Sequence, residues 1–370
     1  MHVHRISRGL QLPIVGHPQQ RIERGPGVTH VALLGADYIG MRPTMHVEVG
    51  ALVDRGQLLF EDKKTPGVRY TAPVAGTLAA INRGAQGAFE SLVLTLSEDA
   101  RAGKGRQVDF AAYTGRPVAD LRGEQVRDLL CESGLWTTLR SRPFSRVANP
   151  VVRPRSIFVT AIDTDPLAPD VDVVMKGRDA DRDAGLAALT DGPVFFCTSV
   201  ASRMTSPQVE RVRHERFDGP HPAGTVGLHV HLLDPVSRQR VVWHVGYQNL
   251  LAIGRLFRTG QLETRRVVAL SGPSVQSPRL VETIVGASTG ELLADGLVPG
   301  VHRLVSGSVL SGRTAAGDMH GYLERFHNQV AALPEGTQRE FMGWAGPGLR
   351  QFSVTGAFLS ALRPMHSRRP

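Results

Sequence analysis

The chain has 370 residues, 41% of them apolar, and a formal charge of +9, enough for cores in two or three domains of the usual ~100–200 residues. Its two cysteines, Cys131 and Cys197, lie far apart and outside any C-x-x-C pattern; this excludes a cluster ligated by four thiolates of this chain alone and argues against a disulfide framework. Only Lys63, Lys64, Lys104 and Lys176 are lysine, so the positive charge reads either as Arg-rich coding or as a basic face for an acidic partner or an anionic membrane.

No Lys/Arg block is interleaved with aromatics, so nucleic acid is not indicated as a partner. No apolar run approaches the ~18 residues that span a bilayer. The first twelve residues lack the apolar centre of a signal peptide. The expectation is a chain in a reducing setting, soluble or held at a membrane by other subunits.

In chain order, short apolar pieces at 31–34, 45–49, 57–60, 68–70, 76–81 and 91–96 recur between turn signals, which predicts a small all-β unit. Residues 121–133 place Val126, Leu129 and Leu130 at helical spacing before Gly134, where a glycine stops a helix. Strands are expected at 156–160 and 193–197 with a helix at 178–189 between them, a βαβ pattern that implies a parallel sheet. The stretch 217–236 reads as turn-rich, with His229 and His231 on one face of an extended segment. Residues 247–259 read as a helix. A third block begins near Arg266 with a strand at 267–270. Ser288-Thr-Gly-Glu291 there has the spacing of a capping box at a helix start, and a strand at 301–305 follows. Beyond about residue 331 the pattern dissolves, and 363–370 is basic and expected to fray.

Four motifs bear on chemistry. Lys63 or Lys64 stands where a carrier lysine would lie at a hairpin tip, but Thr65-Pro66-Gly67 widens that turn; the readings are a structural barrel or a modified lysine. With His221, His229 and His231 could hold a metal, but no acidic or thiol ligand sits at standard spacing. A structural or interface role, or contact with a quinone or substrate, are the other readings. Gly286-Ala-Ser-Thr-Gly290 matches G-x-S-x-G, but Ser288 is already explained as a helix cap. The G-x-x-x-x-G at 35–40 lacks the Lys-Ser/Thr of a phosphate loop, and no G-x-G-x-x-G follows a strand. No catalytic residue is assigned.

Residues 28–100 resemble the biotinyl/lipoyl barrel-sandwich fold through Val47-x-Val49-Gly50, Glu61-Asp62-Lys63-Lys64 and Ala72-Pro73-Val74-x-Gly76. The segment 132–146 is similar to the place where flavin subunits of respiratory complex I, and the C subunit of the Rnf complex, carry a Gly-rich loop for the flavin phosphate. Here Trp136, Arg140, Arg142 and Pro143 occupy it, so the resemblance implies a degenerate flavin site; an anion held by Arg140, Arg142 and Arg146 is the alternative.

Blocks along the chain resemble one family. They include Gly40-Met-Arg-Pro43, Phe60-Glu-Asp-Lys-Lys64, Gly134-Leu-Trp136, Arg142-Pro-Phe-Ser145, Gly219-Pro-His-Pro-Ala-Gly224, Gly254-Arg-Leu-Phe257, Ser306-Gly-Ser-Val-Leu310, Phe341-x-Gly-Trp344 and Phe352-Ser-Val-Thr355. The family is that of A subunits of the sodium-translocating NADH:quinone reductase.

The resemblance implies an α+β and α/β multidomain chain: an N-terminal segment (1–27), the barrel-sandwich domain (28–100), a Rossmann-like α/β domain (101–262), a β-grasp, SLBB-like domain (263–330) and a C-terminal segment (331–370) shorter than in relatives. It implies a peripheral subunit on the cytoplasmic face of the bacterial inner membrane, with the other five subunits as partners. The complex uses NADH, flavins, iron centres, ubiquinone and Na+, and none of these redox cofactors is expected on this chain. The alternatives are a flavin-dependent NADH dehydrogenase subunit of the Rnf or complex I type and a lipoyl-like carrier.

Overall fold

The computed structural model describes residues 2–189, 192–337, 346–349, 352–353 and 356–362. The 341–344 block, half of the 352–355 block and the basic end at 363–370 lie outside them.

The first unit is a two-sheet barrel. One sheet orders the strands His30–Leu34, Phe89–Leu96, Gly76–Arg83 and Leu52–Val53; the other orders Pro43–Met45, Leu58–Asp62 and Arg69–Thr71. Alternation drives it: Leu92, Leu94 and Leu96 face inward with Phe60 and Leu78, as period-2 side chains on facing sheets must; a register irregularity between Leu58 and Phe60 lets Leu59 be buried as well. The strand expected at 45–49 is realised earlier, at Pro43–Met45, because Met45 must pair with Phe60 and the chain then turns through Gly50 at φ +91°.

The second unit is a seven-stranded sheet. Four consecutive parallel strands, Ile157–Ala161, Val194–Ser199, Val212–Asp218 and Val242–Gly246, lie in the spatial order third, second, first, fourth, the order of a Rossmann-like half. Ile157 and Val159 face one core with the helices Asp179–Ala187 and Tyr247–Thr259, while Phe158 faces another with Val230 of the helix Val226–Leu233. Both faces are therefore covered, as a parallel sheet requires.

The third unit is a six-stranded sheet built on Arg265–Ser271, Arg279–Ile284, His302–Ser306 and Gln329–Pro334. That last strand crosses the point where the sequence pattern fades. The first 27 residues are built into both neighbours: Val3–Arg5 adds a parallel strand beside Val212–Asp218, and Gln19–Arg24 pairs in parallel with Arg279–Ile284.

The helix Thr289–Leu293 begins at Ser288, whose side chain accepts from Glu291 N. Only half of the expected capping box forms. The Glu291 carboxylate instead accepts from the backbone N–H groups of Thr29 (2.8 Å) and His30 (3.2 Å), so this residue ties the third unit to the barrel.

Candidate functional site

The carboxyl ends of the strands Ile157–Ala161, Val194–Ser199 and Val212–Asp218 open onto a groove of 1060 Å³, closed on its outer side by residues 10–17. Ligands of doubly wound sheets bind outside the carboxyl ends of the strands, and the loops after these three strands line the groove. The loop after the first strand supplies Asp163, Thr164 and Asp165. The loop after the third supplies His221, whose carbonyl accepts from Leu10 N at 2.8 Å.

These side chains meet. Asp165 Oδ1 lies 3.4 Å from His221 Nδ1, and Thr164 Oγ1 is also 3.4 Å from that nitrogen. Asp163 Oδ1 accepts from Asp165 N at 3.0 Å. Burial, and then the neighbouring Asp165, pushes the Asp163 carboxyl up to about 7; burial likewise raises Asp165, against the pull of His221. The cluster can hold a proton near neutrality and exchange it with a polar group in the groove.

The three candidate histidines do not converge. Residues 226–233 form a helix, where positions two apart point to different sides. The chain coils there because Val226 and Val230, four apart, both pack on the Phe158 face of the sheet. His229 is fully buried, its ring 4.1 Å from that of Phe217 and its Nε2 2.8 Å from Ala223 O. Burial lowers it to about 4, so it is a neutral core histidine. His231 is exposed. Only His221 lines the groove. Among the described residues no group of three or more His, Cys, Asp or Glu converges as a metal site.

The segment 132–147 leads into the far edge of the same sheet, beyond Val242–Gly246. The helix Gly123–Glu132 ends at Gly134, φ +80°, where an added Cβ would lie 2.5 Å from Thr71 Oγ1 of the barrel. Trp136 is buried, donates from Nε1 to Ala148 O at 2.7 Å and meets Trp243 edge to face at 5.5 Å. Arg140–Arg142 and Arg146–Val147 then form an antiparallel hairpin, the first strand pairing also with Val242–Gly246. Pro143 stands in its turn, exposed, and Arg142 Nη1 donates to Ser145 Oγ at 2.8 Å. A phosphate cradle needs several free backbone N–H groups in a concave turn; here the segment spends its backbone on strand pairing.

The Arg140 guanidinium lies 3.9 Å from the centroid of the Phe326 ring, and burial lowers it to about 10. Close by, the Asp37 carboxylate accepts from Arg325 N at 3.1 Å. Burial, then Glu324, pushes Asp37 up to about 7. Here the three units meet.

Lys63 and Lys64 lie exposed in the turn between Leu58–Asp62 and Arg69–Thr71. Asp62 builds that turn. Its carboxylate accepts from Arg42 N (2.9 Å), Lys64 N (3.1 Å) and Thr65 Oγ1 (3.1 Å). Sequence reasoning reads Glu61-Asp62-Lys63-Lys64 as a motif but weighs only its lysines, not what Asp62 holds, and it misses Asp163 and Asp165, which match no motif it tests.

Three family models match the chain in order: an NqrA N-terminal barrel-sandwich hybrid domain over 4–97, an NqrA second alpha/beta domain over 121–262 and an NQRA C-terminal domain over 267–317. Among curated proteins, the A subunit of the Na(+)-translocating NADH-quinone reductase of Serratia proteamaculans is 49% identical over 354 residues, covering 95% of this chain and 78% of the relative. The corresponding A subunit of Pseudomonas aeruginosa PAO1 is 50% identical over 359 residues, covering 97% of this chain and 79% of the relative. Among solved structures, a chain of an NAD+-reducing [NiFe]-hydrogenase aligns with 62% of this chain and 49% of its own length at 14% identity and a TM-score of 0.41, a likeness too loose to carry an argument.

Proposed function

The chain belongs to the family of A subunits of the Na(+)-translocating NADH-quinone reductase, and on that premise we propose that it is a peripheral subunit that supports electron transfer to ubiquinone, coupled to Na+ export, without holding a redox cofactor of its own. No described helix is long and apolar enough to cross a membrane, which agrees with a chain seated on membrane-embedded partners at the cytoplasmic face. These partners are the other five subunits, which would carry the flavins and iron centres.

The observation that carries the cofactor-free reading is the hairpin at Arg140–Val147. Its backbone is committed to two neighbouring strands and Trp136 packs beneath it, so a flavin phosphate would find neither donors nor room. Cys197 is fully buried and Cys131 is half-buried on a helix, its thiol pushed up to about 12 by burial; neither is a ready thiolate ligand. Support for the quinone end comes from the groove. It is large, walled by apolar residues of 10–17 and 161–169, and has His221 and the Asp163–Asp165 pair at one end.

Purification of the tagged chain from its native membrane tests the first part, with the five other subunits expected to co-purify. The isolated chain is expected to lack flavin absorbance and NADH oxidation. A stoichiometric flavin would overturn the cofactor-free reading, and failure to recover the other subunits would overturn the assignment to a complex. For the groove, His221→Ala should weaken binding of a short-chain ubiquinone several-fold while His231→Ala leaves it unchanged; equal effects would sink the placement.

A further inference from the structure

A second cavity, of 290 Å³, lies between the barrel and the α/β unit, walled by the lysine turn and the arginine hairpin. Lys64 and Arg146 flank it. Lys64 Nζ donates to the Gly40 carbonyl, and a Cβ built on Gly40 would lie 3.7 Å from Lys64 Nζ and 3.8 Å from Arg146 Nε. The two cations thus both stand close to one glycine. Among the described residues neither has a carboxylate partner, nor has Lys63, the chain neighbour of Lys64, nor have Arg42 and Arg153. The carboxylate at hand, Asp62, is buried and spent on its own turn. Like charges gathered at a cavity without a counter-ion repel, and an arriving anion relieves that repulsion.

Apolar side chains accompany the cations. Of the lining residues, Ile39 is 49% exposed and Val152 40%; on the segments that carry the lining residues Arg146 and Val152, Phe144 is 68% and Val151 85% exposed. Phe144 sits at the hairpin turn with the Arg146 guanidinium 5.6 Å from its ring centroid. In the wall, the Tyr70 hydroxyl and the Trp243 indole N–H are buried without an acceptor. Scattered exposed apolar side chains need no explanation, but two in the lining of one cationic cavity and two more on the segments that wall it do. Cations that attract phosphate, next to apolar side chains that enter the acyl boundary, are the chemistry of a surface that lies on lipid. Free phosphate would use only the cations.

We propose that this face seats on an anionic lipid surface, with a headgroup phosphate taken between Lys64 and Arg146 and with Phe144 and Val151 in the acyl boundary. The inference deepens the peripheral placement given above and rests on it. Because it is tested on the isolated full chain, its failure is distinguishable from failure to recover the other subunits.

The experiment is co-sedimentation with vesicles of phosphatidylcholine containing phosphatidylglycerol, against phosphatidylcholine alone, at low and physiological salt. Binding is expected only to the anionic vesicles, weakening with salt. Lys64→Glu/Arg146→Glu should lose at least about tenfold, since each basic residue near such a surface contributes roughly a five-fold affinity. Phe144→Asp/Val151→Asp should also lose binding with every cation kept. The control Arg24→Glu/Arg303→Glu, on the third unit, should bind as the parent does. All four proteins are compared by thermal melting to establish equal folding. Absent binding, equal binding to both vesicles, or an equal loss in the control would overturn the proposal. So would competition by inorganic phosphate together with normal binding of Phe144→Asp/Val151→Asp, which would make this a free-anion site.

Discussion

The groove at the carboxyl edge of the parallel sheet and the cavity beneath the arginine hairpin lie at different junctions of one chain and carry opposite chemistry. The groove gathers carboxylates: Asp163, Asp165, Asp170, Asp172 and Asp218 line it, with His221 and His17 as the only imidazoles. The cavity is flanked by Lys64 and Arg146. A chain with a net charge of +9 has thus not spread that charge evenly. The +9 alone predicts a uniformly anion-seeking protein; the placement predicts two faces with different partners, one polar and proton-holding, one basic and apolar. Substitutions at four places sharpen or break this contrast.

The largest effect is expected at Trp243, which walls the cavity. It is buried and meets Trp136 edge to face. Trp243→Ala removes a large buried aromatic and should cost about 3–5 kcal/mol in urea denaturation. The loss should be general, since the strand Val242–Gly246 pairs with both Ile157–Ala161 and the arginine hairpin. A cost below ~1 kcal/mol would mean that the cavity stands apart from the sheet core, and the contrast of two faces on one body would fail.

Next in size is a pair of opposed pH effects. Asp163 has a folded value of about 7 against an ordinary 3.8. Between those values the folded state keeps a proton that the unfolded chain has released. Its contribution is therefore fully present below about pH 4 and is lost as pH rises through about 7. His229 runs the other way: at about 4 against 6.5, it contributes above pH 6.5 and is lost as pH falls through about 4. Asp163→Asn should flatten the decline of stability toward neutral pH, and His229→Phe the decline toward acid, both read from urea midpoints across pH. If Asp163→Asn leaves the neutral-side slope intact, the groove does not hold its proton and is acidic in composition only.

The frame of both faces is legible in the sequence, and physical reasons explain what stays hidden. The helix Tyr247–Thr259 matches the expected bounds, since a long amphipathic stretch ended by a glycine leaves little choice. The parallel pair Ile157–Ala161 and Val194–Ser199 follows from apolar runs around a helix. The segment 226–233 lies in a stretch that reads as turn-rich, with a possible extended piece, and is helical in the fold; its histidines and valines suit either periodicity, and contact with the sheet decides. The strands Val212–Asp218 and Val242–Gly246, which complete the groove-bearing sheet, have no counterpart among the expected elements. The first, Val-Arg-His-Glu-Arg-Phe-Asp, carries mostly charged side chains, and pairing on both sides, not hydrophobicity, makes it a strand. The Asp163–Asp165–His221 cluster joins residues more than fifty positions apart, and no local spacing encodes such a meeting. The lysine turn is visible as a motif, but its cavity is not, because the opposite wall comes from the arginine hairpin.

The smallest effect is expected at the lysine turn, and there the contrast is most exposed to failure. Lys63 is exposed and, among the described residues, makes only a backbone bond, from its N–H to Arg42 O at 3.0 Å. The turn is held by Asp62, so Lys63→Ala should shift stability by less than ~0.5 kcal/mol. Asp62→Ala, which strands the Arg42 and Lys64 N–H groups and the Thr65 hydroxyl, should cost about 1–3 kcal/mol. Intact mass of the natural protein should show no increment on Lys63 or Lys64, one of which a carrier reading requires to be modified. Should Lys63→Ala prove as costly as Asp62→Ala, the lysines would be part of the frame, and the basic face would be a by-product of folding. If the costs separate as expected, Asp62 and not Lys63 holds the turn, and the charge of Lys63 beside the cavity-lining Lys64 is left to be explained by what it binds.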